Sequence, residues 1–191
     1  MQRIIENAKK EEYAYIKEHP LYFIEQYVKI ESKDGLSPIV PFKLWEGQKK
    51  ALLSIDSHRL NIILKARQLG ITWLVLAYSL FMLLTKEGAS VVALSRTQTE
   101  ANELIRRLSV MLLELRAFVR PAEEKSAGWF TFKKRQTEIE LYLNGKKFSA
   151  FTVFASAPGA ARSFTADLII FDEWAYQQYA EEIWVSGLPT V

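Results

Sequence analysis

Two short runs carry residue types that could handle a nucleoside triphosphate. The first is Asn61-Ile62-Ile63-Leu64-Lys65-Ala66-Arg67-Gln68-Leu69-Gly70-Ile71-Thr72: an apolar strand pattern, a loop of phosphate-binding size and the start of a helix. Such a strand–loop–helix turns backbone N–H groups and the positive end of a helix towards an anion. The second is Asp167-Leu168-Ile169-Ile170-Phe171-Asp172-Glu173, an apolar strand pattern ending in two carboxylates. At a strand end, one carboxylate can hold Mg²⁺ and the next can position a water. Together the runs have the chemistry of a phosphate-loop site that hydrolyses nucleotides.

The loop departs from the common G-x-x-x-x-G-K-[ST] pattern. Set in that frame, the lysine slot holds Ile71 and the first glycine slot holds Lys65. An isoleucine side chain offers nothing to a phosphate. A lysine at the loop entrance can reach back across the phosphates, and Thr72 keeps the place of a magnesium-binding hydroxyl. The competing interpretations are a βα turn with surface charges and, for Asp172-Glu173, carboxylates at a helix start. Both motifs occurring in order, each behind its own apolar strand, favours the site.

The elements that must position these residues follow from hydrophobic period and turn chemistry. Residues 3–18 are charge-rich with helical spacing, and Pro20 ends that helix and opens the next, in which Leu21, Ile24 and Val28 form an apolar line. This lead-in is either a flap near a nucleotide or a structural cap. Ser32–Pro41 is a turn-rich connector, and a helix over about 45–56 carries Gln48. A strand is expected over 60–64, a helix over 70–85, a continuous apolar strand over 89–94 and a long helix over 97–117. Segments 129–133, 138–143 and 147–154 are β-prone, the last two flanking Asn144-Gly145, a strong hairpin signal. A loop over 156–165 precedes the strand that ends at Asp172. Alternation of helices with parallel-type strands gives the α/β class: a doubly wound, mainly parallel sheet of the P-loop NTPase type, with a β-hairpin insertion and an N-terminal helical lead-in.

Four stretches carry a resemblance to a known family. They are Lys65 to Thr72, Leu168-Ile169-Ile170-Phe171-Asp172-Glu173-Trp174-Ala175, Arg162-Ser163-Phe164-Thr165-Ala166-Asp167 and Leu44-Trp45-Glu46-Gly47-Gln48. Jointly they resemble the large terminase subunits of tailed bacteriophages and related viruses, the ATP-driven motors that package DNA into capsids. The first resembles the family's arginine-containing Walker A, the second its Walker B, and the fourth its upstream adenine-recognising glutamine segment. The resemblance spans most of residues 42–185. It implies a P-loop ATPase core over 42–191 with an N-terminal helical segment, 1–41, packed on it. Two departures stand out: no coupling motif is recognisable before Val191, and no RNase H-like nuclease domain is present, so nuclease activity is not expected of this chain.

With that family in view, the roles expected of single residues are these. Backbone N–H groups from Lys65 through Ala66, Arg67, Gln68, Leu69, Gly70, Ile71 and Thr72 cradle the phosphates of ATP, and Lys65 neutralises the β and γ oxygens. Thr72 and Asp172 hold Mg²⁺, directly or through its waters. Glu173 orients and deprotonates the attacking water. Arg67 can sense or stabilise the γ-phosphate in cis. Arg162 resembles a finger acting in trans on a neighbouring subunit, a task that suits a permanently charged, planar guanidinium; a salt bridge to Asp167 or Glu173 is the structural alternative. Gln48 can donate to and accept from the adenine edge, or be an exposed helix residue. The implied partners are double-stranded DNA, a portal protein, a small terminase subunit and further copies in a ring on the procapsid, with a monomer in isolation; the implied place is the host cytoplasm.

Composition bounds the alternatives. The chain has 191 residues with net charge +3, which permits contact with phosphate backbones without demanding it. It has no cysteine, hence no disulfide, thiolate zinc site or thiol nucleophile, and its two histidines, His19 and His58, make no ligand pattern. No uninterrupted apolar run could span a bilayer. Basic clusters at Arg106-Arg107, Lys133-Lys134-Arg135 and Lys146-Lys147 could touch DNA phosphates or simply solvate helix and hairpin surfaces. Two other functions remain open: a helicase-type translocase, and a nucleotide-binding module with negligible turnover.

Overall fold

The computed structural model describes residues 2–32, 37–66, 68–115, 118–121, 130–157 and 165–187. The chain forms two compact units, Met1–Phe81 and Met82–Val191.

The first unit opens with α1 (Gln2–Ile16) and α2 (Pro20–Tyr27). Proline fits the first turn of α2 because its missing N–H would have no helical partner there. Glu12 on α1 accepts hydrogen bonds from the hydroxyls of Tyr22 and Tyr27, which ties the two helices. Ile16 of α1 and Phe23, Ile24 and Val28 are buried, while Leu21 of the expected apolar line is only part-buried. The connector closes into a small antiparallel ladder, β1 (Lys29–Glu31) with β2 (Ile39–Pro41). Then come α3 (Glu46–Ser57) and α4 (Ile71–Thr85). The α4 sequence is almost wholly apolar, and Leu74, Ala77 and Leu80 are fully buried. Each such leucine contributes roughly 1.5–3 kcal/mol by leaving water.

One expectation fails here. Residues 60–64 form no strand: 61–66 are irregular, Ile62 is 88% exposed and Leu64 fully exposed. Their β-branched, apolar composition suits a sheet, but a strand exists only through a paired neighbour, and no described strand pairs with them.

The second unit is a six-stranded mixed sheet in the order β4-β5-β6-β7-β3-β8. Its strands are β3 (Ser90–Ser95), β4 (Val119–Pro121), β5 (Phe130–Lys134), β6 (Glu138–Leu143), β7 (Lys146–Ala155) and β8 (Leu168–Phe171). β3 lies between β7 and β8 and runs parallel to both, pairing Val92 with Thr152 on one side and with Ile169 on the other. Its continuous Val-Val-Ala-Leu run is buried throughout, the state expected of a parallel strand covered on both faces. β5, β6 and β7 form the antiparallel insertion. Asn144 and Gly145 both take positive φ, 51° and 78°, which matches the two-residue hairpin turn.

The long helix α5 (Gln98–Glu114) starts where Thr97 and Glu100 cap each other: Glu100 N–H donates to Thr97 Oγ1, and the Glu100 carboxylate accepts from Thr97 N–H. Its Ala101, Leu104, Ile105, Leu108, Met111 and Leu112 are buried at helical spacing. A 3₁₀ turn (Trp174–Tyr176) and α6 (Ala180–Gly187) follow β8. No helix among the described residues is long and apolar enough to cross a membrane.

Candidate functional site

The phosphate-type loop belongs to the first unit. Lys65, Ala66, Gln68 and Leu69 are exposed, while Arg67 lies outside the described residues. Gln68 and Gly70 both adopt left-handed backbone, each with φ 66°. For Gln68 that conformation costs about 1–2 kcal/mol, and such local strain concentrates at functional loops. Alternating backbone hand points successive N–H groups to one side, a concavity that suits an anion. α4 begins at Ile71, with the first helical bond from Leu74 N–H to Gly70 O at 3.0 Å, and its first turn carries no carboxylate to compete with an incoming anion.

The side chains of the loop divide by burial. Ile71, in the usual lysine slot, is only 8% exposed and packs into the core. Its side chain therefore cannot serve phosphate, whereas Lys65 is exposed at the loop entrance. Thr72 is the second residue of α4 and half-buried.

Gln48 is 3% exposed, deep for a glutamine. Its Oε1 accepts from Trp45 N–H at 3.3 Å, closing the amino end of α3, and its Nε2 donates to Leu69 O of the loop at 3.1 Å. The contact is close enough that a Cβ on Gly70 would lie 2.7 Å from Nε2. Glycine at 70 is thus demanded twice, by backbone hand and by the neighbouring amide. The exposed-helix alternative for Gln48 is excluded: this side chain clamps the loop to α3.

The carboxylate motif belongs to the second unit. β8 ends at Phe171, and Asp172 N–H donates to Leu94 O of β3 at 2.9 Å. Asp172 is half-buried and Glu173 exposed. Glu173 has left-handed backbone, φ 52° and ψ 43°, at the start of the 3₁₀ turn. Apart from Asn144 in its hairpin, Gln68 and Glu173 are the non-glycine residues of positive φ among the described residues, one in each candidate motif. Behind the motif, Gln177 is 6% exposed with its amide against Asp172 O. Nothing in the sequence marks it, since it is one of two adjacent glutamines between tyrosines with no period or motif spacing.

Asp167, at the other end of β8, is already committed. It pairs with Lys86 and accepts from Ser90 N–H at 2.9 Å. Burial pushes its carboxyl up, but the Lys86 hydrogen bond, the Ser90 N–H and the Lys86 charge together hold it below its ordinary value. Arg162, whose structural alternative is a salt bridge to Asp167 or Glu173, lies outside the described residues.

The basic clusters are largely neutralised in place. Arg106 and Arg107 both bond Glu103, at 2.7 and 3.0 Å. Lys147 donates to Glu140 at 2.6 Å, Arg135 pairs with Glu138 at 2.8 Å, and the Lys133 ammonium lies over the Tyr142 ring. These contacts favour a structural role, within α5 for Arg106 and Arg107 and on the sheet for Lys133, Arg135 and Lys147, over a free DNA-facing patch.

The family model for the terminase large subunit, T4likevirus-type, N-terminal, matches residues 62–185, more than half of the chain and inclusive of both motifs. Among solved structures, the large terminase ATPase domain of Thermus phage P74-26 is similar, with a TM-score of 0.56 at 16% identity. The match covers 76% of this chain and 60% of that one, so the chain spans only part of that domain's length. At this identity the likeness speaks to the fold, which is that of a P-loop-type α/β domain. No curated protein matches the chain.

Proposed function

The chain belongs to the terminase large-subunit family in its T4likevirus-type N-terminal form, and from that premise we propose that it hydrolyses ATP to drive double-stranded DNA into a procapsid. The observation that supports this most is the loop itself: an exposed Lys65, left-handed Gln68 and Gly70, and a carboxylate-free α4 start, with Ile71 turned into the core. That is an anion cradle whose cation enters from the front of the loop.

In this reading the loop N–H groups and Lys65 bind and orient the triphosphate. Gln48 fixes the loop against α3, and reading an adenine edge requires its Nε2 to exchange Leu69 O for the base. Arg67 steadies the γ-phosphate. The Thr72 hydroxyl and the Asp172 carboxylate are hard oxygen donors of the kind Mg²⁺ takes, and they would hold it. The ion when bound draws charge off the β and γ oxygens. Glu173, exposed at the tip of a held turn, orients the attacking water and accepts its proton. Arg162 supplies a guanidinium to a neighbouring subunit's site. We assign residues 42–191 to the ATPase core and 1–41 to a helical segment packed on it. Duplex DNA, a portal protein, a small terminase subunit and further copies in a ring are the partners this function requires, in the host cytoplasm.

The test is ATP turnover by the whole subunit on procapsids supplied with intact duplex DNA. Packaging predicts that ATP consumption and nuclease protection of the DNA rise together. Unwinding of a forked duplex without protection would point to a helicase-type translocase. ATP binding without turnover would reduce the chain to a nucleotide-binding module.

A further inference from the structure

We propose that Gln177 is a positioning residue that holds the Asp172–Glu173 turn in its working shape. Its Nε2 donates to Asp172 O at 2.9 Å and, more weakly, to Leu94 O at 3.4 Å. Both partners are carbonyl oxygens, so only the amide NH₂ can face them. Leu94 O also receives the Asp172 N–H at 2.9 Å, so one glutamine joins the carboxyl ends of β3 and β8. The consequence is an uncompensated group: Oε1 of Gln177 is buried with no hydrogen-bond partner among the described residues. Buried polar atoms are seldom left unpaired. A methionine or leucine would fill this place without that defect, so packing does not account for the glutamine. What the amide adds is a grip on one peptide group.

That peptide group matters because it joins Asp172 to Glu173. Fixing Asp172 O fixes the plane that sets ψ of Asp172 and φ of Glu173, and Glu173 is the residue held at φ 52°. A left-handed glutamate relaxes unless its surroundings prevent it. Gln177 prevents it from four residues downstream, through the 3₁₀ turn in which Tyr176 N–H bonds Glu173 O at 2.9 Å. Gln177 itself meets no substrate; it aims the carboxylates that do. This inference rests on Glu173 being the residue that handles water.

The experiment uses the whole subunit carrying Gln177→Met, which keeps length and removes both the donor and the orphan oxygen. The expected result is kcat lowered about 10- to 100-fold, the penalty typical of a small misplacement. KM for ATP stays within about twofold and the thermal midpoint is not lowered. Amide exchange at Asp172–Trp174 speeds up. Gln177→Glu gives a second readout. A buried carboxyl can donate to Asp172 O only while protonated, so its kcat recovers towards wild type as pH falls, relative to Gln177→Met. Unchanged kcat and unchanged exchange in Gln177→Met overturn the proposal. So does a kcat loss accompanied by a matching loss of thermal stability. If instead Glu173→Gln turns over ATP normally while exchange at 172–174 still responds to Gln177→Met, the proposed function has failed and the positioning of the turn has not.

Discussion

Replacing Gly70 by alanine isolates what the phosphate-type loop requires. Two costs meet at that Cα. The first is backbone hand: φ is 66°, and an L-residue held there gives up about 1–2 kcal/mol. The second is contact: the new Cβ would lie 2.7 Å from Gln48 Nε2. The far end of a glutamine can ordinarily swing away at little cost. Here it is 3% exposed and bonded at both ends, to Trp45 N–H and Leu69 O, so swinging forfeits two hydrogen bonds of roughly 0.5–1.5 kcal/mol each. The combined cost is about 2–5 kcal/mol. A loop that relaxes to escape it must be restored by each incoming nucleotide, so apparent affinity for ATP falls by at least about 30-fold, at one decade per 1.4 kcal/mol. Titration with a fluorescent ATP analogue reads the change, and urea unfolding checks that the rest of the chain keeps its stability. The cycle with Gln48→Ala divides the two costs: without the amide, Gly70→Ala should retain only the backbone part. Wild-type affinity in Gly70→Ala, or the same loss with and without Gln48, would refute this account of the loop.

Three further outcomes are expected. Lys65→Ala should abolish measurable nucleotide binding or turnover while circular dichroism stays unchanged, and no other lysine should substitute for it. Lys147→Met should lower stability at pH 7 by about 1–2 kcal/mol, discounted for the half-exposed ammonium, as followed by urea midpoints. Glu140 is held below its ordinary value first by the Lys147 hydrogen bond and also by Tyr142, against the upward push of burial. A carboxyl depressed in the folded state contributes stability above its unfolded value, near pH 4.3, and loses it as pH falls through the folded value; Lys147→Met should therefore flatten the acid limb of the stability profile below about pH 4. Finally, mixing Arg162→Ala with Glu173→Gln subunits on procapsids should restore part of the ATPase activity that each lacks, whereas mixed rings as inactive as either parent would mean that Arg162 acts in cis or only structurally.

How far the sequence could be read depended on the range of the interaction that settles each element. Asn144-Gly145 fixes its turn by local backbone preference, and both residues take the positive φ that the pair implies. The spacing of Leu104, Leu108, Met111 and Leu112 fixes a buried helix face in the same local way. Ile62-Ile63-Leu64 has the composition of a strand, but pairing is a property of two segments and no described strand pairs with it. Lys29–Glu31 and Ile39–Pro41 form a ladder too short to register as alternation, so the segment read only as a connector. That Ile71 would turn away from a phosphate was legible because its side chain cannot bear charge, and it is buried. The two hydrogen bonds of Gln48 and the grip of Gln177 were not, because each depends on which backbone groups the fold brings to an amide. The basic clusters show the same limit: Lys147 meets Glu140 only through the pairing of β6 with β7.

The central claim is that Glu173 handles water for a nucleotide bound without its help, and single-turnover hydrolysis of ATP by the Glu173→Gln subunit on procapsids tests it most directly. The amide keeps the shape of the side chain and loses the base, whose contribution is about 10²–10⁴-fold. The account predicts ATP bound at wild-type affinity and hydrolysed slower by about that factor. A first turnover at the wild-type rate would contradict it.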